Sequence, residues 1–116
     1  MQFLKQDHYD VVGTVEDGAA LVRGVMKLAP NVALVDISMP GMNGVDAIAL
    51  LTAMKCETKI VVLTAHRGSE FVQAAFAAGA LGYVVKHRLV TDLPPAIEQA
   101  LRGERFLSPT LTQPTE

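Results

Sequence analysis

Residues 32 to 44 read Val-Ala-Leu-Val-Asp-Ile-Ser-Met-Pro-Gly-Met-Asn-Gly, an apolar run that ends in one carboxylate, Asp36, followed by a turn. A strand this uniformly apolar is typical of a parallel sheet whose two faces are both covered by helices. In open α/β sheets, ligands and reacting groups gather at the carboxyl ends of the strands. Because Asp36 lies at such an end, it is the first candidate for a functional residue.

The composition limits what kind of protein this is. The 116 residues suffice for one domain with one core. Half of the residues are hydrophobic, and the formal net charge of −2 without a basic cluster argues against a nucleic-acid surface. We find neither an apolar run of membrane-spanning length nor a signal-peptide pattern. The single cysteine, Cys56, excludes an internal disulfide, so we expect a cytoplasmic domain with no membrane partner.

Strand-like and helix-like segments alternate along the chain. The β-rich segments are residues 9–13, 32–36, 59–64 and 81–85. Between them, apolar residues recur at helical spacing, as Val45, Ile48 and Leu51 do. The alternation predicts right-handed crossovers, a parallel sheet and helices on both of its faces. The helix over 69–78 is rich in alanine, so we expect it to be the least firmly packed.

Both ends of the last helix are marked in the sequence. Asp92 is predicted as its N-cap, Pro94 and Pro95 fit its first turn, and Gly103 fits its end. The following residues, 108–116, are rich in proline and threonine and predict a linker or tail. The domain is therefore predicted to span residues 1–107.

The beginning of the chain is unusual for this pattern. A βαβ unit needs about 30 residues or more, yet only eight precede the strand that starts at Tyr9. We interpret residues 1 to 6 as the last turn of a helix, with no strand before Tyr9.

Three strand ends carry polar side chains, namely Asp36, Thr64 and Lys86. Parallel strands would bring this carboxylate, hydroxyl and ammonium to one edge of the sheet. A carboxylate can attack phosphorus as a nucleophile, and the hydroxyl and ammonium can bind the oxygens of the transferred group. The set therefore favours phosphoryl chemistry.

With these residues in place, the chain resembles a response-regulator receiver domain of the subfamily linked to LuxR/NarL-type output domains. The matching segments are Val-Val-Gly-Thr-Val-Glu-Asp-Gly (11–18), Ala-Leu-Val-Asp-Ile-Ser-Met-Pro-Gly-Met-Asn-Gly (33–44), Val-Val-Leu-Thr-Ala (61–65), Gly-Tyr-Val-Val-Lys (82–86) and Gly-Glu-Arg-Phe-Leu-Ser-Pro (103–109). They follow the family order and spacing over nearly the whole chain. The resemblance implies an α/β fold of the CheY-like, flavodoxin-like class.

The resemblance also implies roles for residues of the site. Asp36 would accept a phosphoryl group from a histidine kinase, and the backbone carbonyl of Ser38 would ligate Mg²⁺ together with Asp36. Thr64 and Lys86 would bind the phosphoryl oxygens. Tyr83 would be an aromatic switch that turns inward when Thr64 moves.

Two further residues, Pro40 and Gly44, would shape the loop beside the site.

A haloacid-dehalogenase-type phosphatase would need a second aspartate two residues after the nucleophile, where this chain has Ser38. No glycine-rich dinucleotide loop or P-loop is present either. We therefore expect a signalling domain and not an enzyme.

Compared with the family pattern, the first strand, the acidic pair that ends it and part of the first helix are missing. Mg²⁺ needs several oxygen ligands and is poorly held by one carboxylate. Glu16 and Asp17 are the candidates for substitute ligands. We therefore expect phosphorylation of Asp36 to be impaired, and the alternative is a phosphorylation-independent pseudo-receiver that acts as an interaction or dimerisation module.

The missing strand is central in the family sheet order, 2-1-3-4-5. Its loss would leave two apolar strand edges unpaired, and unpaired buried backbone is costly. Either the Tyr9 strand closes up against the Val32 strand or a second molecule fills the gap. The sequence favours the second solution, a homodimer.

Overall fold

The computed structural model describes residues 2–5, 10–14, 18–37, 44–65 and 69–108. Within these residues the strands are β1 (Gln2–Lys5), β2 (Asp10–Thr14), β3 (Val32–Asp36), β4 (Lys59–Thr64), β5 (Gly82–Val85) and β6 (Phe106–Leu107). The helices are α1 (Gly18–Leu28), α2 (Gly44–Ala53), α3 (Ser69–Ala78) and α4 (Leu89–Leu101), and a 3-10 turn, Lys86–Arg88, precedes α4. None of the helices in these ranges is long and apolar enough to cross a membrane.

The strands form one sheet in the order β2-β1-β3-β4-β5-β6. The four strands from β3 to β6 are parallel, as the alternation of strands and helices predicts. Helices cover both faces of this parallel part, which confirms the α/β receiver-like class. β6 has only two residues and was not expected, because a segment this short carries no periodicity.

The interpretation of residues 1 to 6 as the end of a helix is wrong. Gln2–Lys5 is a strand that lies between β2 and β3 and pairs antiparallel with both. In the register, Gln2 stands opposite Thr14 on one side and Leu34 on the other. Because β1 pairs along both of its edges, the central position that the sequence predicted to be empty is filled within the chain. The unpaired edges that favoured a homodimer therefore do not exist at this position.

The uniformly apolar β3 is explained by the two layers that cover it. Ala33 and Val35 belong to a cluster formed with α1, α2 and α3 on one face. Val32 and Leu34 belong to a cluster formed with α4 on the other face. All four side chains are at most 4% exposed, so neither face of the strand tolerates a polar residue.

The start of α4 differs from the expectation. The helix begins at Leu89 with Arg88 as its N-cap, and Asp92 is the fourth helical residue, not the cap. Asp92 is 3% exposed and is paired with Arg88, so a buried ion pair and not a cap bond determines its position. Pro94 and Pro95 consequently lie inside the helix, beyond its first turn.

The end of α4 agrees with the expectation. Gly103 has a φ of 78°, in the left-handed region. The amide of Gly103 donates to the Ala100 carbonyl and the amide of Glu104 to the Gln99 carbonyl, at 2.9 and 2.8 Å. These two bonds form a Schellman motif, which a glycine at this position favours.

Ser108 was placed at the start of the tail, but it is fully buried. Its backbone amide donates to the Tyr83 carbonyl at 3.0 Å, and its Oγ accepts a bond from the Val85 amide at 3.1 Å. The packed part of the domain therefore reaches Ser108, one residue beyond the boundary drawn from the sequence.

We expect Gly79→Ala to destabilise the fold by about 3 kcal/mol. Gly79 has a φ of 120°, and a Cβ there would stand 2.1 Å from Thr52 Oγ1 and 3.0 Å from Thr52 Cβ. Rotation of the Thr52 side chain cannot relieve the second contact. Urea unfolding of the variant and the parent measures the effect.

The matched control is Gly103→Ala. Gly103 also has a positive φ, but a Cβ there would meet nothing within 4 Å. It should cost only the backbone strain, about 1 kcal/mol. Equal losses in the two variants would show that the approach of α3 to Thr52 is not tight.

Candidate functional site

The carboxyl ends of the parallel strands bring three polar side chains to one edge of the sheet. Asp36 ends β3, Thr64 ends β4, and Lys86 directly follows β5. The strands are in register here, with Asp36 opposite Leu63 and Thr64 opposite Val85. Three groups that are far apart in sequence are therefore carried to the same end of the sheet by the strands themselves.

Asp36 and Lys86 form an ion pair. Lys86 Nζ donates to Asp36 Oδ2 at 2.5 Å. The Asp36 side chain is 17% exposed and the Lys86 side chain is 47% exposed, so solvent reaches the pair mainly from the lysine side. A pair this accessible adds little to stability, about 1 kcal/mol or less. Its consequence is geometric, because it holds a cation directly beside the carboxylate.

Thr64 and Tyr83 form the buried part of the site. Both are fully buried, and their side chains are joined by a hydrogen bond. The Tyr83 ring also lies against Phe76 of α3, with ring centroids 6.4 Å apart and planes at 47°. The tyrosine therefore stands in an inward position, between the hydroxyl at the end of β4 and helix α3.

Burial raises the pKa of Tyr83 to about 12, and the hydrogen bond with Thr64 counteracts part of that rise. The raised pKa means that the fold favours neutral Tyr83. The stability that buried, neutral Tyr83 contributes is complete below the ordinary pKa of 10.0 and is lost as the pH rises towards 12. The loss should be about 2–3 kcal/mol.

Tyrosinate absorbance of a Tyr9→Phe variant tests this, because Tyr83 is then the single tyrosine. We expect a midpoint at about 12, and a Tyr83→Phe protein should lose less stability in urea unfolding over the same alkaline range. A midpoint near 10.0 would contradict the buried, hydrogen-bonded position of the ring.

Gly44 is the first residue of α2 and is buried. A Cβ there would stand 3.1 Å from Ile37 Cγ2 and 3.3 Å from Val35 Cγ1. Its lack of a side chain lets α2 begin close against the end of β3. The remaining residues predicted for the site, Glu16, Asp17, Ser38 and Pro40, lie outside the described residues.

A second polar cluster, which the sequence reading did not identify, adjoins the site. The Arg88 guanidinium donates two hydrogen bonds to the Asp92 carboxylate, from Nε to Oδ2 at 2.9 Å and from Nη2 to Oδ1 at 3.3 Å. These bonds lower the pKa of Asp92, burial acts in the opposite direction, and a hydrogen bond with Ser108 lowers it further. The four-residue spacing of Arg88 and Asp92 was a visible signal, whereas nothing local points to Ser108.

The described residues do not by themselves make up a Mg²⁺ site. Mg²⁺ demands six oxygen ligands in near-octahedral geometry, usually including one or two carboxylates. In the part of the chain that the structure describes, no group of three or more His, Cys, Asp or Glu side chains could hold a metal ion. The carboxylate at the site is instead paired with the Lys86 ammonium. Among the described residues, the groups at this edge of the sheet that can take part in chemistry are Asp36, Thr64 and Lys86.

The chain is similar in sequence to known proteins. Residues 1–98 match the family model of the response regulator receiver domain. The chain is 33% identical over 103 residues to the response regulator GacA of Pseudomonas aeruginosa, covering 89% of this chain and 48% of that protein. It is 37% identical over 107 residues to the transcriptional regulatory protein PdtaR of Mycobacterium tuberculosis, covering 92% and 52%.

A solved structure agrees with the sequence matches. The crystal structure of a LuxR-family two-component response regulator from Aurantimonas sp. superposes with a TM-score of 0.84 and 34% identity, covering 90% of this chain and 75% of that one. This chain spans about half the length of the curated relatives it matches. It belongs to the response regulator receiver domain family, and its relatives are of the LuxR/NarL type.

Proposed function

We propose that Asp36 accepts a phosphoryl group from a histidine kinase and that the chain is the receiver part of a two-component signalling system. The observation that carries the proposal is the position of the Lys86 ammonium, 2.5 Å from the Asp36 carboxylate. The pair lies at the carboxyl ends of the strands, where Thr64 is the last residue of β4. A carboxylate oxygen forms a bond to phosphorus while the bond from phosphorus to the donor's histidine nitrogen breaks. The domain carries the signal and turns over no substrate of its own.

Lys86 has the main electrostatic role in this step. Phosphoryl transfer spreads negative charge over the equatorial oxygens of the transferred group, and fixed cations stabilise it. The half-exposed ammonium beside Asp36 is placed to shift from the carboxylate to those oxygens as they arrive.

Thr64 and Tyr83 supply the response to phosphorylation. In this proposal the Thr64 hydroxyl binds a phosphoryl oxygen, and Tyr83 follows it because the two side chains are hydrogen bonded. A change at the strand edge thereby reaches Phe76 and α3, against which the ring lies. This supports Tyr83 as the switch residue.

Receiver domains generally use Mg²⁺ when they are phosphorylated. By the family resemblance, its ligands here would be Asp36 and the Ser38 carbonyl, with Glu16 and Asp17 as candidates for further ligands. The last three residues lie outside the described ranges.

A second candidate function is a phosphorylation-independent pseudo-receiver. The specific observation that favours it is that the described residues contain no group of three or more His, Cys, Asp or Glu side chains that could hold a metal ion. In that case the receiver fold would serve as a protein interaction module. Phosphoryl uptake separates the two functions.

The chain spans about half the length of its relatives, so the location and partners of the whole regulator are proposed here. We propose a cytoplasmic location and a histidine kinase as the partner. Nucleic acid would be contacted by an output domain of a longer protein and not through this chain. A homodimer has no support from the sheet, since β1 fills the central position.

The test is the intact mass of the protein after incubation with acetyl phosphate, with and without Mg²⁺. We expect the parent protein to gain one phosphoryl group and Asp36→Asn to gain none. Asp46→Asn is the matched control, because Asp46 is an exposed carboxylate in the first turn of α2, and it should behave like the parent. A folded parent that gains no mass in either condition would overturn the proposal in favour of the pseudo-receiver.

A further inference from the structure

We infer that Asp92 and Ser108 are positioning residues for Lys86, so that α4 and the residue after β6 take part in the phosphoacceptor site. The inference concerns the geometry of the ion pair, and its meaning for phosphoryl transfer rests on the proposed function.

Lys86 lies between two anchored points. On one side, the amide of Val85 donates to Ser108 Oγ at 3.1 Å. On the other side, the 3-10 turn ends in Arg88, whose guanidinium makes two bonds to the Asp92 carboxylate. The backbone that carries Lys86 is therefore held both before and after the residue.

The two anchors are joined to each other. The Ser108 side chain hydrogen bonds to the Asp92 carboxylate, and the Ser108 amide donates to the Tyr83 carbonyl at 3.0 Å. Ser108 is fully buried, and the Asp92 side chain is only 4% exposed. If the buried Asp92 carboxylate lost a partner, its charge would be left without compensation, which is costly. This cost opposes any rearrangement of the cluster.

The Lys86 side chain, by contrast, is 47% exposed and has four rotatable carbons in its stem. Little packing restrains the direction in which it points, so the position of its backbone decides whether Nζ reaches Asp36. The buried cluster supplies that restraint. In the other direction, a shift of Lys86 towards a phosphoryl group would act on Ser108 through the hydrogen bond from Val85.

The test uses the full chain without any phosphodonor and follows the isotope-labelled Nζ resonance of Lys86 by nuclear magnetic resonance. The shift of this resonance in Asp36→Asn defines the unpaired state. We expect Ser108→Ala and Asp92→Asn to move the resonance most of the way to that position. Glu104→Gln, which removes only the exposed Arg102–Glu104 pair, is the control and should leave it in place.

A Lys86 resonance that stays at the parent position in folded Ser108→Ala would overturn the inference and make the cluster purely structural. Asp92→Asn keeps the shape of the side chain, so it remains informative if the serine variant does not fold. Because no phosphoryl group is involved, the inference can fail while the proposed function stands. Conversely, a Lys86 shift in a protein that acetyl phosphate does not modify would disprove only the proposed function.

Discussion

Lys86→Ala should take up phosphoryl groups from acetyl phosphate about 100-fold more slowly than the parent protein, because removing one preorganised electrostatic stabiliser typically costs that much. The ammonium is held 2.5 Å from the Asp36 carboxylate, where the new bond to phosphorus would form. The loss should come from the transfer step and not from the fold, since an ion pair this exposed contributes about 1 kcal/mol or less. Time courses of intact mass give the rate, and urea unfolding gives the stability.

Two variants make this result specific. Lys86→Arg keeps the charge but changes its shape and reach, so it should recover part of the rate. Lys55→Ala removes an exposed cation just after α2, and it should leave the rate unchanged. If Lys86→Ala and the parent accept phosphoryl groups at the same rate, the ammonium has no part in the transfer.

The largest loss of stability should follow Leu51→Ala, about 3 kcal/mol or more. Leu51 lies in α2, is 2% exposed and belongs to the cluster between the sheet and the first three helices. Truncation removes apolar contact area and leaves a cavity that the tightly packed strands β3 and β4 cannot fill. Urea or thermal unfolding measures the difference from the parent.

The neighbouring residue supplies the matched control for this truncation. Leu50 has the same side chain in the same helix but is 51% exposed. Leu50→Ala should cost less than about 1 kcal/mol, because half of the area it removes is already in water. Similar losses in the two variants would mean that α2 does not present the Leu51 face to the sheet.

The strands and helices that carry a strong local pattern could be predicted from the sequence. β3 and β4 have the bounds expected from their apolar runs, and α3 has the bounds expected from its helical spacing. Each of these elements buries side chains at regular intervals, so the spacing of its own apolar residues predicts it. This is the situation in which periodicity is informative.

The N-terminal strand could not be predicted in the same way. β1 has four residues, too few for a period to be distinguished, and it is a strand because two neighbours offer it backbone partners. Its antiparallel direction also departs from the βαβ rule that suits the rest of the chain. The pairing partners lie elsewhere in the chain, and residues 2–5 alone do not predict them.

The site shows the same division. Asp36, Thr64 and Lys86 follow from the rule that strand ends of a parallel sheet meet, and the structure brings Asp36 and Lys86 into contact. Their roles in phosphoryl transfer stay predictions. Asp92 was assigned as a cap because local rules favour aspartate before a helix, whereas burial against Arg88 and Ser108 determines its place.

The most direct test of Asp36 as the phosphoacceptor is reductive trapping followed by peptide mass mapping. Borohydride reduces an aspartyl phosphate to homoserine, which marks the modified residue permanently. After treatment with acetyl phosphate, we predict homoserine at position 36 and at no other aspartate. Homoserine at a different aspartate, or none in a folded protein treated with and without Mg²⁺, would contradict the assignment of Asp36.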